Sequence, residues 1–197
     1  MVTLESIANI RLGMPFKSAI NDVGDKGRCF LIQAKDIDVS GLIDFSCLTA
    51  VIPEGNDVKH YLHEDDILLR LRGPVFSAGI INEEKEKPII TSNQLAVIRC
   101  NKKIINPYYL HWYLNSKTGQ NELKGMSEGT GITKINLKRI SLMAIKLTSI
   151  ENQNKIGLIS ENWLNQKKIY SLLIGNGDLL FNGICENLVS DVGDNNV

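Results

Sequence analysis

The sequence predicts an α+β fold in which a β-rich first half gives way to helices and ends in one long amphipathic helix. Three observations carry this expectation. From Val51 to Cys100 short apolar runs alternate with polar turns, the texture of strands. From Asn106 onward the apolar period lengthens to that of a helix. Beyond Ser149, residues Ile156, Ile159, Trp163, Gln166, Tyr170 and Leu173 are spaced 3, 4, 3, 4 and 3, a heptad seam with one polar member.

In chain order, Thr3 caps a short opening helix with Leu4, Ile7 and Ala8 on one face, which ends at Gly13-Met14-Pro15. Asn21–Gly27 is turn-rich, Cys29–Gln33 reads as a strand, and Gly41 breaks the segment after it. Leu69–Arg72 alternates apolar and basic residues, Val75–Ile81 is small and β-branched, and Leu95–Cys100 is a further strand after the polar turn Glu83–Pro88. Asn106 caps a helix with Pro107 at its first position and Leu110, Tyr113 and Leu114 on one face. A second short helix covers Thr118–Met126, a loop rich in Gly and Thr covers Ser127–Thr133, and Leu142–Leu147 is a strand. Ser149 caps the final helix, which runs through Lys168 and ends near Gly175-Asn176-Gly177. Its seam has a plainer reading as an amphipathic helix packed on its own domain.

Composition excludes several classes. With 43% hydrophobic and 22% charged residues among 197, the chain can form a core and is not disordered. Its longest apolar runs, such as Leu95–Ile98, are far too short to span a bilayer. The start Met1-Val2-Thr3-Leu4-Glu5 lacks a signal peptide's basic and apolar regions. Cys29, Cys47, Cys100 and Cys185 form no CxxC pair, so reduced cytoplasmic thiols are expected rather than disulfides or a zinc knuckle. Net charge is zero, yet residues 59–146 hold 14 Lys/Arg against 8 Asp/Glu and the rest hold 8 against 14. Such asymmetry marks one surface for an anionic partner.

A search for chemistry returns little. Asn106-Pro107-Tyr108-Tyr109 resembles the Asn-Pro-Pro-Tyr loop of amino-methyltransferases, but the second proline and a Gly-rich cofactor loop are missing. His60-x-x-His63 with Glu64, Asp65 and Asp66 leads into a strand and lacks the HExxH spacing of zinc proteases. Glu84-x-Glu86-Lys87 has no upstream Pro-Asp, and Gly129-x-Gly131 is too short to cradle phosphate. The residues read as those of a binder, with no catalytic or metal-ligating set.

The order of several segments is more telling. Gln33-Ala34-Lys35-Asp36-Ile37 is followed by Asp65-Asp66-Ile67-Leu68-Leu69 with Gly73 closing, then by Asn106-Pro107-Tyr108-Tyr109-Leu110. Next come Gly129-Thr130-Gly131-Ile132-Thr133-Lys134-Ile135 and Glu151-Asn152-Gln153-Asn154-Lys155-Ile156. Over about residues 1–175 this series resembles the specificity subunit of type I restriction–modification systems. The resemblance is to half of one: a single target recognition domain over 1–147, a helical spacer over 148–175, and a tail, 176–197, without an assigned role. Where the family carries Gly the chain has Asp65, a residue that tolerates left-handed backbone. Where the family has a Pro-rich junction it has Thr148-Ser149.

The resemblance implies a mixed or antiparallel curved sheet flanked by short helices, with a protruding C-terminal helix of coiled-coil type. It implies a cytoplasmic subunit without catalysis of its own that reads one half of a bipartite double-stranded DNA target. Its partners would be a methyltransferase (modification) subunit, which binds S-adenosylmethionine, and a restriction subunit; no cofactor is expected in this chain. Base-edge and phosphate chemistry singles out Arg70 and Arg72, Ser92, Asn93 and Gln94, and Thr130, Thr133, Lys134, Lys138 and Arg139. Arg70 and Arg72 also read as the solvent face of an edge strand, and Asn93 as a turn residue. A half-subunit lacks the second spacer helix, so Ile156, Ile159, Trp163, Gln166, Tyr170 and Leu173 are expected to form a homodimer seam, with Gln166 fixing register. A nuclease or methyltransferase fragment, or a protein-interaction module with a basic face, are the alternative readings.

Overall fold

A computed structural model describes residues 1–191 of the chain except 54, 56 and 130–132. The chain divides into two compact units, Met1–Ser160 and Glu161–Val197.

In the first unit, β1 (Val2–Thr3) leads through a 3-10 turn at Leu4–Ser6 into β2 (Ala8–Leu12). Next in order are β3 (Cys29–Ile32), β4 (Thr49–Val51), β5 (Ile67–Arg70), β6 (Ala78–Ile80), β7 (Ile89–Thr91) and β8 (Leu95–Cys100). Helices α1 (Pro107–Asn115), α2 (Lys117–Met126) and α3 (Leu137–Ser141) precede β9 (Ala144–Ile145), and α4 (Ile150–Asp191) starts here. Among the described residues, β2-β8-β5-β6 form one antiparallel sheet and β4-β3-β7 a second in which β3 and β7 run parallel. β1 pairs with β9. The α+β expectation, with short helices and a long C-terminal helix, is met.

The two sheets share one core. Ile32 and Ile89 from the smaller sheet pack with Leu68, Leu95 and Val97 from the larger, together with Ile37, Ile43 and Phe45 from loops. β5 is buried along Ile67, Leu68 and Leu69, so its run of apolar residues is a central strand's rather than an alternating one. The polar interruption is offset by pairing: Asp66, 1% exposed, accepts from Arg99 Nε at 2.8 Å and Nη2 at 2.7 Å. Just before it Asp65 has φ 68°, the left-handed turn expected of it, and its carboxylate accepts from Lys102 Nζ at 2.6 Å.

Because β7 and β8 belong to different sheets, the turn between them, Ser92-Asn93-Gln94, is held from both sides. Asn93 N donates to Met14 O at 3.0 Å, Leu71 N to Gln94 O at 3.3 Å and Leu95 N to Ser92 O at 3.1 Å. Gly13 is required there: a β-carbon would stand 2.2 Å from Ser92 O.

The N-cap at Asn106 is as expected, its side chain accepting from Tyr108 N and Tyr109 N. It also anchors the start of α4, since Asn106 N donates to Gln153 Oε1 at 3.0 Å and Gly157 leaves room for the Asn106 side chain. Ser149 caps α4 through its hydroxyl, which accepts from Asn152 N at 3.3 Å.

Three expectations are corrected. The opening helix is a 3-10 turn followed by a strand: pairing of Ala8–Leu12 with Ala96–Cys100 outweighs the local helical spacing of Leu4, Ile7 and Ala8. The strand at Leu142–Leu147 is only Ala144–Ile145, because its partner offers just Val2 and Thr3; before it Leu137–Ser141 forms a helix capped by Asn136, which accepts from Arg139 N at 3.0 Å. The final helix does not end near Gly175–Gly177; it continues to Asp191, 42 residues in all. Single glycines cost a helix only about 1 kcal/mol each, and here Leu, Ile and Phe flank them on both sides. Described by itself, the second unit is that helix from Glu161 on, with Trp163, Tyr170, Leu173, Leu180 and Ile184 all more than half exposed. Within the first unit the face of α4 that is covered is Gln153, Gly157 and Ser160. Ile156, the first residue of the seam, is half-buried and lines a cleft with Tyr109 and Trp112, whereas Ile159 is exposed.

Candidate nucleic-acid interface

Beyond Arg70 the chain of β5 continues as Leu71-Arg72-Gly73 and pairs with Thr133-Lys134-Ile135. Gly73 N donates to Thr133 O at 3.1 Å, Ile135 N to Leu71 O at 3.0 Å, and Thr133 Oγ1 to Gly73 O at 2.8 Å. Gly73, at φ 121°, makes a bend closed to side-chain-bearing residues. On its other side Lys134 exchanges both backbone hydrogen bonds with Glu128.

This pairing sets Arg72 and Lys134 directly opposite each other on an antiparallel bridge. Opposed side chains start about 5 Å apart, and like charges there repel. Both are exposed, and among the described residues neither has an ion pair. Glu128, the nearest acid along the ribbon, is instead taken by Arg139 at 2.5 Å. The turn carrying Asn93 and Gln94 joins the same place. With Arg72, Lys134, Ile135, Asn136 and the side chains of Leu12 and Leu137 it lines an open cleft of about 370 Å³. Asn93 and Gln94 are exposed on a turn whose backbone is held by hydrogen bonds to Met14 and Leu71, and make no side-chain hydrogen bond among the described residues.

The structure therefore brings together Arg72, Asn93, Gln94 and Lys134, and separates the other candidates from them. Arg70 is half-buried and donates to Ile37 O at 3.5 Å. The Ser92 hydroxyl is buried. Thr133 spends its hydroxyl on Gly73, and Arg139 is bound to Met126 O at 2.9 Å as well as to Glu128. Lys138 is exposed on α3 outside the cleft lining, and Thr130 lies outside the described residues. Sequence reasoning missed Leu12, Asn136 and Leu137. The signal for Asn136 was present, as an Asn before a Leu-Lys-Arg-Ile helix start.

Two further arginines are structural. Arg11 donates to the carbonyls of His60 and Tyr61, and burial lowers its pKa, with Asp66 opposing and Arg99 adding to that shift. Hydrogen bonds to Asp66 raise the pKa of Arg99. His60, a possible metal ligand by sequence, is pushed down by burial and then by Arg11 and Lys59. Among the described residues no group of three or more His, Cys, Asp and Glu could hold a metal.

A guanidinium facing an ammonium is suited to a phosphate or to the O6/N7 edge of guanine, and paired amides to the N6/N7 edge of adenine. The cleft offers both kinds of donor on a backbone that is already fixed.

Comparisons with known proteins bear on this geometry. The family model described as type I restriction modification DNA specificity domain matches residues 1–171. The HsdS subunit from Thermoanaerobacter tengcongensis shares the fold at a TM-score of 0.59 and 20% identity, over 84% of this chain and 37% of that one. A chain from a structure on complex assembly and conformational transition of the type I R-M system gives 0.61 and 21%, over 87% and 39%. The S subunit from M. genitalium gives 0.52 and 13%, over 82% and 37%. This chain thus spans about two fifths of the length of these structures. No curated protein matches it. Among the described residues no helix is long and apolar enough to cross a membrane.

Proposed function

The chain belongs to the family of type I restriction–modification DNA specificity domains, and from that premise we propose that it reads one half of a bipartite DNA target. One observation carries the reading: Arg72 and Lys134 oppose each other with no ion pair among the described residues, beside the exposed amides of Asn93 and Gln94. Two like charges held together by backbone pairing are stabilised by an anion, and the amides add donors and acceptors for a base edge. Arg72 and Lys134 take phosphate or guanine, Asn93 and Gln94 reach a base, and Lys138 serves as an outlying phosphate contact. Arg70, Thr133 and Arg139 spend their donors on the protein and the Ser92 hydroxyl is buried, so these four are assigned no DNA contact.

The chain performs no chemistry itself. It docks a methyltransferase subunit, which binds S-adenosylmethionine, and through it a restriction subunit. A second copy supplies a second reader: α4 pairs antiparallel with its two-fold mate through the exposed face of Ile159, Trp163, Tyr170 and Leu173. At 1.5 Å per residue the 42-residue helix is about 63 Å long. That exceeds the roughly 37 Å of a helix ending at Gly175, and it allows half-sites one to two turns of B-DNA apart on one face of the duplex.

The lone purified chain, given duplex DNA, S-adenosylmethionine and Mg²⁺, is expected to bind the DNA and leave it unmethylated and uncut. Methyl transfer or cleavage by the lone chain would identify a catalytic fragment instead.

A further inference from the structure

The cleft that holds Arg72 and Lys134 is not polar throughout. Leu12 and Leu137 line it beside Asn93 and Gln94, together with Leu71 and Ile135. Leu71 and Ile135 are buried and belong to the core, but Leu12 is 42% exposed and Leu137 is half-buried. A phosphate bound by the two cations gains nothing from exposed leucines next to it. The pair of leucines calls for an apolar group on the ligand.

Both leucines are held in place. Leu12 ends β2, and directly after it Gly13 N donates to Leu95 O at 3.1 Å and Met14 N to Thr91 O at 2.7 Å, which ties this point to both sheets. Leu137 opens α3, which packs on β2 and is fixed by the Asn136 cap and by buried Ile140. Asn136 spends its side-chain oxygen on that cap, accepting from Arg139 N, whereas Asn93 and Gln94 make no side-chain hydrogen bond among the described residues.

Among the groups that base pairs show in the major groove, the thymine 5-methyl is the apolar one, and it shares its pair with the N6/N7 edge of adenine. We infer that the cleft reads an A·T pair, with Leu12 and Leu137 seating the thymine 5-methyl, the Asn93 or Gln94 amide on adenine and the two cations on flanking phosphates. The inference deepens the DNA reading proposed for the cleft and rests on it. It gives the apolar wall a role, and it selects against G·C, because cytosine carries only a hydrogen at its 5-position.

The test starts from duplexes that the full chain selects from a random pool. Each thymine of a selected duplex is replaced in turn by uracil, which removes the methyl and keeps every hydrogen-bonding group. Affinity is read by fluorescence anisotropy for wild type, Leu12→Ala, Leu137→Ala and Leu142→Ala, with circular dichroism to check folding. Leu142, 56% exposed and outside the cleft lining, is the control. The expected result is one thymine per half-site at which uracil weakens wild-type binding about 3- to 5-fold, the effect of burying one methyl. In Leu12→Ala or Leu137→Ala the same replacement costs less than about twofold, and in Leu142→Ala the wild-type loss returns. Selected duplexes that share no thymine, or indifference to uracil at every thymine, overturn the inference; the DNA reading of the cleft still stands if joint replacement of Arg72 and Lys134 weakens binding. A uracil loss that is unchanged in both cleft variants puts the methyl contact elsewhere and overturns it as well. A chain that binds no duplex, or binds equally well without Arg72 and Lys134, overturns the DNA-reading cleft and this inference with it.

Discussion

Replacing Arg72 and Lys134 together by alanine is expected to weaken binding to the preferred DNA by about 2–4 kcal/mol, roughly 30- to 700-fold. The expectation rests on their opposition on the Leu71–Gly73 and Thr133–Ile135 ribbon. Neither cation is neutralised by an acid among the described residues. Glu128 stands across from Lys134 on its other side but is paired with Arg139, so bound DNA would relieve the repulsion between the two cations. With Arg72, Lys134 and Lys138 as the contacting cations, the log–log dependence on salt should have a slope of about −3 on a single half-site and about −5 on two. The double variant should flatten the single-site slope to about −1. Its thermal stability should hold or rise slightly, since like charges facing each other across a bridge destabilise by a few tenths of a kcal/mol or more. Arg72→Ala alone separates two roles: a larger loss on preferred than on random DNA marks a base contact, and an equal loss marks a phosphate contact. Unchanged affinity of the double variant would remove the ribbon from the interface.

Trp163→Glu is expected to turn a micromolar dimer into a monomer. Trp163 is about half exposed in the single chain, and its indole is the largest side chain on the seam. Aromatic residues at the centre of an interface often account for 2 kcal/mol or more, and a carboxylate at that place must be desolvated without a partner. The domain in Met1–Ser160 should be untouched, so the cleft at Arg72 and Lys134 remains while binding to paired half-sites is expected to fall to that of one. Sedimentation together with binding to single and paired half-sites reads both effects. A variant that still sediments as a dimer would send the apolar face of α4 back to contacts other than with a second copy.

The features legible in the sequence and those hidden from it divide along the range of the interactions. The cap at Asn106-Pro107, the left-handed backbone at Asp65 and the cap at Ser149 depend on neighbours within three residues, and all three were legible. The strand at Ala8–Leu12 was not, because its pairing partner is Ala96–Cys100, some ninety residues away. The cations show the same division. By composition Arg70, Arg72, Arg139 and Lys134 are equivalent. Arg70 is drawn to Ile37 O and Arg139 to Glu128 and Met126 O, while Arg72 and Lys134 find each other. No local pattern separates these outcomes, since each depends on which loop the fold brings alongside. The helix past Gly175 was hidden for a different reason. Its glycines read as a stop, yet the helix runs through them to Asp191.

The most direct test of paired half-subunits reading DNA is selection of bound duplexes from a random pool by the full chain together with its modification partner. Two identical readers related by a two-fold axis see inverted half-sites. The expected product is thus an interrupted palindrome with a fixed gap, lost when Arg72 and Lys134 are both replaced. Enrichment of a single uninterrupted half-site would contradict the paired half-subunit, and a pool that stays random would contradict sequence reading by this chain.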